Sequence, residues 1–449
     1  MSNINVPLTG IGCIRPRSVQ EISGSKFTLG CETLDRGFAD YENYKEYIAP
    51  LGAKTIRLQA GWAKTEKVRG VLDFSWLDKI IFDAVSRGLN ILLETGYGNP
   101  VYPGGGGADL AGGFPVSAEA LAAWDHWVET MALRYKGVVR DWAMWNEPDL
   151  VEGRSVEEIV DFNLRTARII KNIIPEARIG GLSLASSDEF VFRRYLKRMA
   201  EQGGMGLFEW IIYHGYKYNP DEACDAGCKL QRALKEFSPA PKLRQGENGC
   251  PSERAQGFAL YGHDWTEFSQ AKWDLRRYLA DIGNDVETAI FTICDFNHIG
   301  REINRKGLLY ADENHNVIRP KTVYYAMQNM IALFDDDLMP SPGKAAVTCE
   351  GRSAVFPFTS RSGRGNVLAY WDRSFMPSDS TECASAQILC DAFDFHEPVL
   401  VELISGKVYD IPAEKTVHMD GYTIFRDMPL ADSPLVIVEK KQIFYTDIP

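Results

Sequence analysis

The chain has 449 residues, 45% of them hydrophobic and 24% charged, enough for one large domain and a smaller one with a sizeable buried core. Its formal net charge of −12 argues against nucleic acid or an anionic membrane surface as a partner. No apolar run approaches the roughly 18 residues of a membrane-spanning helix, and the stretch from Met1 to Pro7 lacks the basic-then-apolar pattern of a signal peptide, so a cytoplasmic location is the expectation.

Residues 1–26 read as an N-terminal segment, either part of a β-domain or an extension. From residue 27 short apolar β-runs alternate with helical patterns. The strands predicted are 27–32, 53–59, 89–95, 138–145, 177–183, 208–214, 242–247 and 288–295. Helical periods run from Tyr41 to Leu51, Trp76 to Gly88, Ser117 to Tyr135, Ser155 to Ile174 and Lys321 to Phe334. Ser155-Val-Glu-Glu158 is a capping-box pattern, and Gly88 suits a helix C-terminus. The alternation over 27–337 predicts a (β/α)8 TIM barrel, a fold of class α/β. A doubly wound open sheet would carry a Gly-rich phosphate loop after its first strand, and none is present. Asp335 to Pro342 reads as a linker, and the short β-runs that follow predict an antiparallel β-sandwich over 338–449.

Nine cysteines are scattered along the chain. Cys224 and Cys228 fall in a stretch that reads as a loop entering a helix. A zinc site would need two more ligands at recognisable spacing, and none is found, so no metal is expected. Reduced thiols are the expectation, and a Cys224–Cys228 disulfide stays open.

The sharpest local signal is Trp142-Ala-Met-Trp-Asn146-Glu147-Pro148, where the fourth predicted strand ends. Function in such barrels gathers at the C-terminal ends of the strands. A carboxylate placed after apolar strand residues is costly unless it has work or partners. The second signal is Gln245-Gly-Glu247-Asn-Gly249, at the end of the seventh strand. Strands four and seven face each other across an eight-stranded barrel, so Glu147 and Glu247 can converge over its mouth. Glycoside hydrolysis with retention needs two such carboxyl groups about 5–5.5 Å apart. Like charges at that distance raise one of the two pKa values, which suits an acid.

These residues resemble the glycoside hydrolase A clan of barrel enzymes. The resemblance covers residues 27 to 335 and implies a double displacement, with Glu147 as acid/base and Glu247 as nucleophile. It carries further roles with it. Arg57 matches an arginine near the nucleophile, and Asn146 matches the asparagine that contacts a sugar hydroxyl. His214-Gly-Tyr216 matches a motif whose tyrosine bonds the nucleophile. Trp62-Ala-Lys-Thr-Glu66 is similar to a clan segment after strand two, and Trp62 is a candidate for sugar stacking. The C-terminal sandwich resembles that of the β-xylosidase and α-iduronidase family, family thirty-nine. One stretch departs from the clan: Cys294-Asp-Phe-Asn-His298 stands where many members carry a tryptophan under the sugar. Phe296 is then the candidate stacking ring and Asp295 a candidate hydroxyl partner.

Competing readings of these residues are bland. Trp142 and Trp145 suit packing in the barrel wall better than substrate contact. Glu32 and Glu94 are weaker candidates for hydroxyl recognition. The Gly-rich stretch from Asn99 to Gly107 lacks the Lys-Ser/Thr of a phosphate cradle and reads as a lid or subsite loop, from which Tyr97 or Tyr102 reaches substrate. A metal-dependent hydrolase would need a His/Asp cluster, and the chain has only 7 histidines. A non-catalytic sugar-binding barrel and a transglycosylase on the same scaffold remain as alternatives. The reading is therefore a cofactor-free glycosidase with a carbohydrate substrate and an exo preference. A β-linked xyloside, galactoside or glucoside and an equivalent α-L-linked sugar all fit, and the oligomeric state stays open.

Overall fold

The computed structural model describes residues 3–298, 302–335, 337–391, 393–419 and 421–447. Its larger part is a closed parallel barrel. In chain order the elements are β1 (Phe27–Gly30), α1 (Tyr41–Leu51), β2 (Thr55–Gln59), α2 (Ser75–Ser86), β3 (Asn90–Thr95), α3 (Ala118–Tyr135), β4 (Asp141–Met144) and α4 (Val156–Ile173). Then follow β5 (Arg178–Leu184), α5 (Glu189–Glu201), β6 (Trp210–Tyr213), α6 (Pro220–Phe237), β7 (Lys242–Gln245), α7 (Glu267–Gly283), β8 (Thr288–Ile290) and α8 (Thr322–Leu333). The eight strands lie in the order β7-β6-β5-β4-β3-β2-β1-β8. Parallel bridges Arg244–Glu287 and Asn248–Ile290 join β8 back to β7 and close the ring.

Local chemistry sets the element ends. Asp40 caps α1 through the Glu42 amide, and Gly52 takes a left-handed conformation after it. Ser155 and Glu158 form a reciprocal capping box at α4. Asn219 caps α6 with Pro220 in its first turn, so Cys224 and Cys228 lie inside a helix rather than in a loop. All nine cysteines are free thiols. The strands are buried almost throughout, as a parallel sheet covered by helices requires.

An eight-stranded antiparallel sheet packs one face on α7 and α8 and the other on a four-stranded sheet, with a second apolar core between the two sheets. The segment before the barrel supplies a strand, Gly10–Ile14, which pairs with Lys407–Asp410 and Tyr445–Asp447. The stretch read as a linker is not one: Leu338–Pro340 is an edge strand paired with Ser353–Ser360, while Asp336 lies outside the described residues. Lys272 of α7 pairs with Asp432 at 2.6 Å, and Trp371 donates to Asp221 of α6 at 2.9 Å, so charged faces of barrel helices are buried under the sandwich.

Candidate active site

Both glutamates arrive by way of a strand end. β4 stops before Trp145, and both Trp145 (φ 61°) and Glu147 (φ 48°) take left-handed backbone conformations that disfavour side chains. That backbone swings Glu147 over the barrel mouth. The Glu147 amide is tied to the Ser183 carbonyl at 3.0 Å, which offsets part of the strain. At the end of β6, Gly215 (φ +68°) turns the chain between His214 and Tyr216. Gly246 opens room beside them: a Cβ there would lie 2.3 Å from Ile212 and 3.2 Å from the His214 ring.

Arg57, in the middle of β2, is the hub. Its guanidinium reaches Glu32 at 2.8 Å, Glu94 at 2.7 Å and Glu247 at 2.8 Å, and also donates to Asn146. Tyr216 donates to the other Glu247 oxygen at 3.2 Å. His214, fully buried, bonds Glu147 through Nδ1 at 2.8 Å and stands 3.9 Å from Glu247. Glu147, His214 and Glu247 each bring one ligand-type atom within 4.8 Å of the others, so the two carboxylates do meet across the barrel.

Electrostatics separate the pair. Burial, helped by the charges of Glu247 and Asp149, holds the Glu147 carboxyl above its usual range against the His214 bond. Burial would raise Glu247 as well, but His214, Arg57 and Tyr216 outweigh it and hold that carboxyl low. Burial pushes Glu32 up to about 7 despite Arg57, with Glu247 and Glu94 adding to the rise. His214 is held above the ordinary imidazole value, because the charges of Glu247 and Glu147 overcome burial. The same Glu-His-Glu group has the composition of a metal site. However, His214 Nδ1 is already bonded to Glu147, both Glu247 oxygens are bonded to Arg57 and Tyr216, and a dication there would face the Arg57 guanidinium. The set suits proton exchange better.

A cavity of about 560 Å3 stands over the pair. Its lining includes Asn146, Tyr216 and Phe296 of the residues singled out from sequence, together with Glu32 and Tyr97. Arg57 and His214 sit beneath it, bonded to the two glutamates.

Two sequence expectations are corrected. Trp62 is 0% exposed, donates to Glu66 at 2.6 Å and packs in a ring cluster with Trp124, Trp127 and Tyr102. It therefore holds the wall rather than a sugar, and Tyr102 is spent in the same cluster. Asp295 faces Lys321 at 2.6 Å and Arg305 at 3.0 Å, both partners in a dry ion-pair cluster, so it fastens the segment after β8 instead of meeting substrate. That segment carries two cavity residues missed from sequence, Asn304 and Lys306. Burial pulls Lys306 down to about 8. Phe258 and Phe291 were missed too: Phe258 lies in irregular chain, and Phe291 falls within the predicted strand 288–295, which in the structure ends at Ile290.

No family model matches this chain, and no curated protein matches it by sequence. Solved structures do match its fold. A family 39 glycoside hydrolase from Bacteroides cellulosilyticus WH2 aligns with a TM-score of 0.65 at 14% identity, over 92% of this chain and 81% of that one. A monomeric β-xylosidase from Caulobacter crescentus CB15 aligns at 0.56 and 16% identity, over 96% and 97% of the two chains. A family 30 endoxylanase from Clostridium papyrosolvens C71 aligns at 0.57 and 12% identity, over 97% and 98%. The chain thus shares the barrel-plus-sandwich fold of these clan A enzymes.

Proposed function

We propose that this chain is a retaining O-glycoside hydrolase, exo-acting on a β-linked or equivalent equatorial glycoside. The observation that carries the reading is the Glu147–Glu247 pair, two carboxylates within 4.8 Å whose pKa values are pushed in opposite directions. The separation fits attack by one carboxylate on a carbon whose leaving oxygen the other protonates. It leaves too little room for the water of an inverting enzyme, whose carboxyl groups stand about 6.5–9.5 Å apart.

In the first step a Glu247 oxygen bonds the anomeric carbon as the bond to the aglycone oxygen breaks. Glu147 gives its proton to that oxygen. Arg57 and Tyr216 keep Glu247 ionised and aimed. Esterification removes the Glu247 charge, and with it one of the causes that hold Glu147 high. Glu147, left ionised by the first step, then stays a carboxylate, takes a proton from water, and the hydroxide formed displaces Glu247 with net retention. Side chains and water suffice throughout. Exo action is supported by the cavity walls, which draw on the loops after β1, β3, β7 and β8 and suit a terminal sugar.

Azide rescue of Glu147→Ala tests the assignment. Hydrolysis of glycosides with poor leaving groups should fall by roughly 10²–10⁴, and on an activated aryl glycoside, whose departure needs no acid, azide should restore turnover as a glycosyl azide of retained configuration. Unimpaired hydrolysis, or an inverted azide, would overturn it.

A further inference from the structure

A second concavity of about 700 Å3 lies beside the catalytic cavity and shares Ala185 and Tyr216 with it. We propose that this trough is the leaving-group site and that its occupant is an oligosaccharide, with a sugar ring stacked on Phe190. The inference rests on the glycosidase reading and adds to it the class of leaving group.

Position is the first argument. The trough runs between the chain after β5, Ala185 to Phe190, and the chain after β6, Gly215 to Lys217, with Lys229 of α6 behind. Its near rim is fixed to the loop that carries the acid. Asp149, two residues after Glu147, accepts from the amides of Ala185 at 2.8 Å and Ser186 at 3.0 Å. The group that Glu147 protonates departs on the side where Glu147 stands, and the trough opens there. The remaining walls of the catalytic cavity, among them Glu32, Tyr97 and Phe291, surround the sugar whose anomeric carbon reacts.

Lining chemistry is the second argument. Phe190, in the first turn of α5, is 73% exposed, and its ring has no aromatic partner among the described residues. An apolar ring bordering a polar hollow suits the C–H face of a pyranose. The acids of the trough are already engaged: Asp188 caps the Val191 amide at 2.9 Å, and Glu189 bonds Arg193 at 2.9 Å. The side chains of Ser187, Lys217 and Lys229 make no hydrogen bond or ion pair among the described residues. Unspent donors call for a ligand rich in acceptor oxygens. A volume of this size lies in the range of sites that enclose whole drug-sized molecules, whereas an aryl group would fill only the mouth.

The test is a substrate series with one glycone and four leaving groups: an aryl group, then one, two and three sugars. Wild type should gain about tenfold in kcat/KM from the one-sugar to the three-sugar leaving group, as binding of the added rings is drawn into the transition state. Phe190→Ala, a change at an exposed position that leaves packing intact, should lower the oligosaccharide-to-aryl ratio roughly threefold to tenfold. Lys229→Ala should lower the same ratio. The same oligosaccharides are titrated calorimetrically into the inert Glu247→Gln variant, with and without Phe190→Ala. Turnover with no chain-length dependence, or a loss that is equal for aryl and sugar leaving groups, would overturn this inference and leave the glycosidase reading standing. No turnover, but binding that grows with chain length and is lost in Phe190→Ala, would sink the glycosidase reading and keep the trough. Absence of both turnover and binding would remove the proposal.

Discussion

Replacing Arg57 with methionine removes a cation shared by Glu32, Glu94 and Glu247, which it pairs at 2.8, 2.7 and 2.8 Å. Breaking a buried pair by deleting one partner costs about 3–5 kcal/mol, because the remaining charge is stranded. For a protein of this size that loss lowers Tm by about 3–8 °C near neutral pH. The size of the loss depends on pH, and the sign follows from the carboxylates. Arg57 lowers the pKa of all three, so its removal raises each of them in the folded state. A carboxyl whose folded pKa lies above its unfolded value costs nothing while both states are protonated. Its penalty appears as pH climbs past the unfolded value, near 4.5, and through the raised one. The Tm gap between wild type and Arg57→Met should therefore be small at about pH 4 and widen toward about pH 8, as read by thermal melts across that range. A gap that stays constant, or narrows as pH rises, would refute the electrostatic reasoning and make Arg57 a packing residue.

Tyr216→Phe deletes the 3.2 Å bond to Glu247 and should cost about 1–2 kcal/mol of transition-state stabilisation, roughly 5- to 30-fold in kcat/KM. It should also move the acid limb of the pH profile upward, since that bond helps to keep Glu247 low. In wild type, kcat/KM should rise below pH 4.5 as Glu247 ionises and fall above 4.5 as Glu147 loses its proton. Glu147→Gln, assayed on an activated aryl glycoside, should lack the alkaline limb; its persistence would assign that limb to another group. Trp62→Ala should lower stability by about 3–5 kcal/mol and leave KM of the folded fraction within about twofold, whereas a large rise in KM would restore a direct role in substrate binding.

How far the sequence carries depends on the range of the interaction that places each residue. Barrel strands are local: apolar runs and helical periods locate them, and their C-terminal ends share one face. Strand ends place Glu147 and Glu247 over one face and the clan resemblance adds Arg57, Asn146, His214 and Tyr216; in the structure Arg57, Asn146, Glu247 and Tyr216 form one bonded set and His214 with Glu147 a second, with His214 3.9 Å from Glu247. Asp295 also lies just past a strand end, yet its side chain turns to Lys321, 26 residues on, and no local pattern announces that partner. Trp62 has the same difficulty, since its surroundings come from α3 and from the loop after β3. The burial of α7 was equally hidden. Lys272, Asp274, Arg276, Arg277 and Asp281 give it the composition of a surface helix, but it is buried: Lys272, Arg276 and Arg277 pair with Asp432, Asp221 and Asp281, and Asp274 accepts from the Cys250 amide. Phe258 and Ala259, between β7 and α7, line the cavity from irregular chain with no period to mark them.

The central claim is that Glu247 becomes covalently bonded to the sugar. It is tested most directly by incubating the protein with a 2-deoxy-2-fluoro glycoside bearing a good leaving group, which slows both steps but the second more, and then mapping the labelled peptide by mass spectrometry. One fluorosugar per chain, attached to Glu247, is expected, with activity returning as the label turns over. A label on any other residue, or hydrolysis of the parent glycoside with no covalent species and an inverted product, would contradict it.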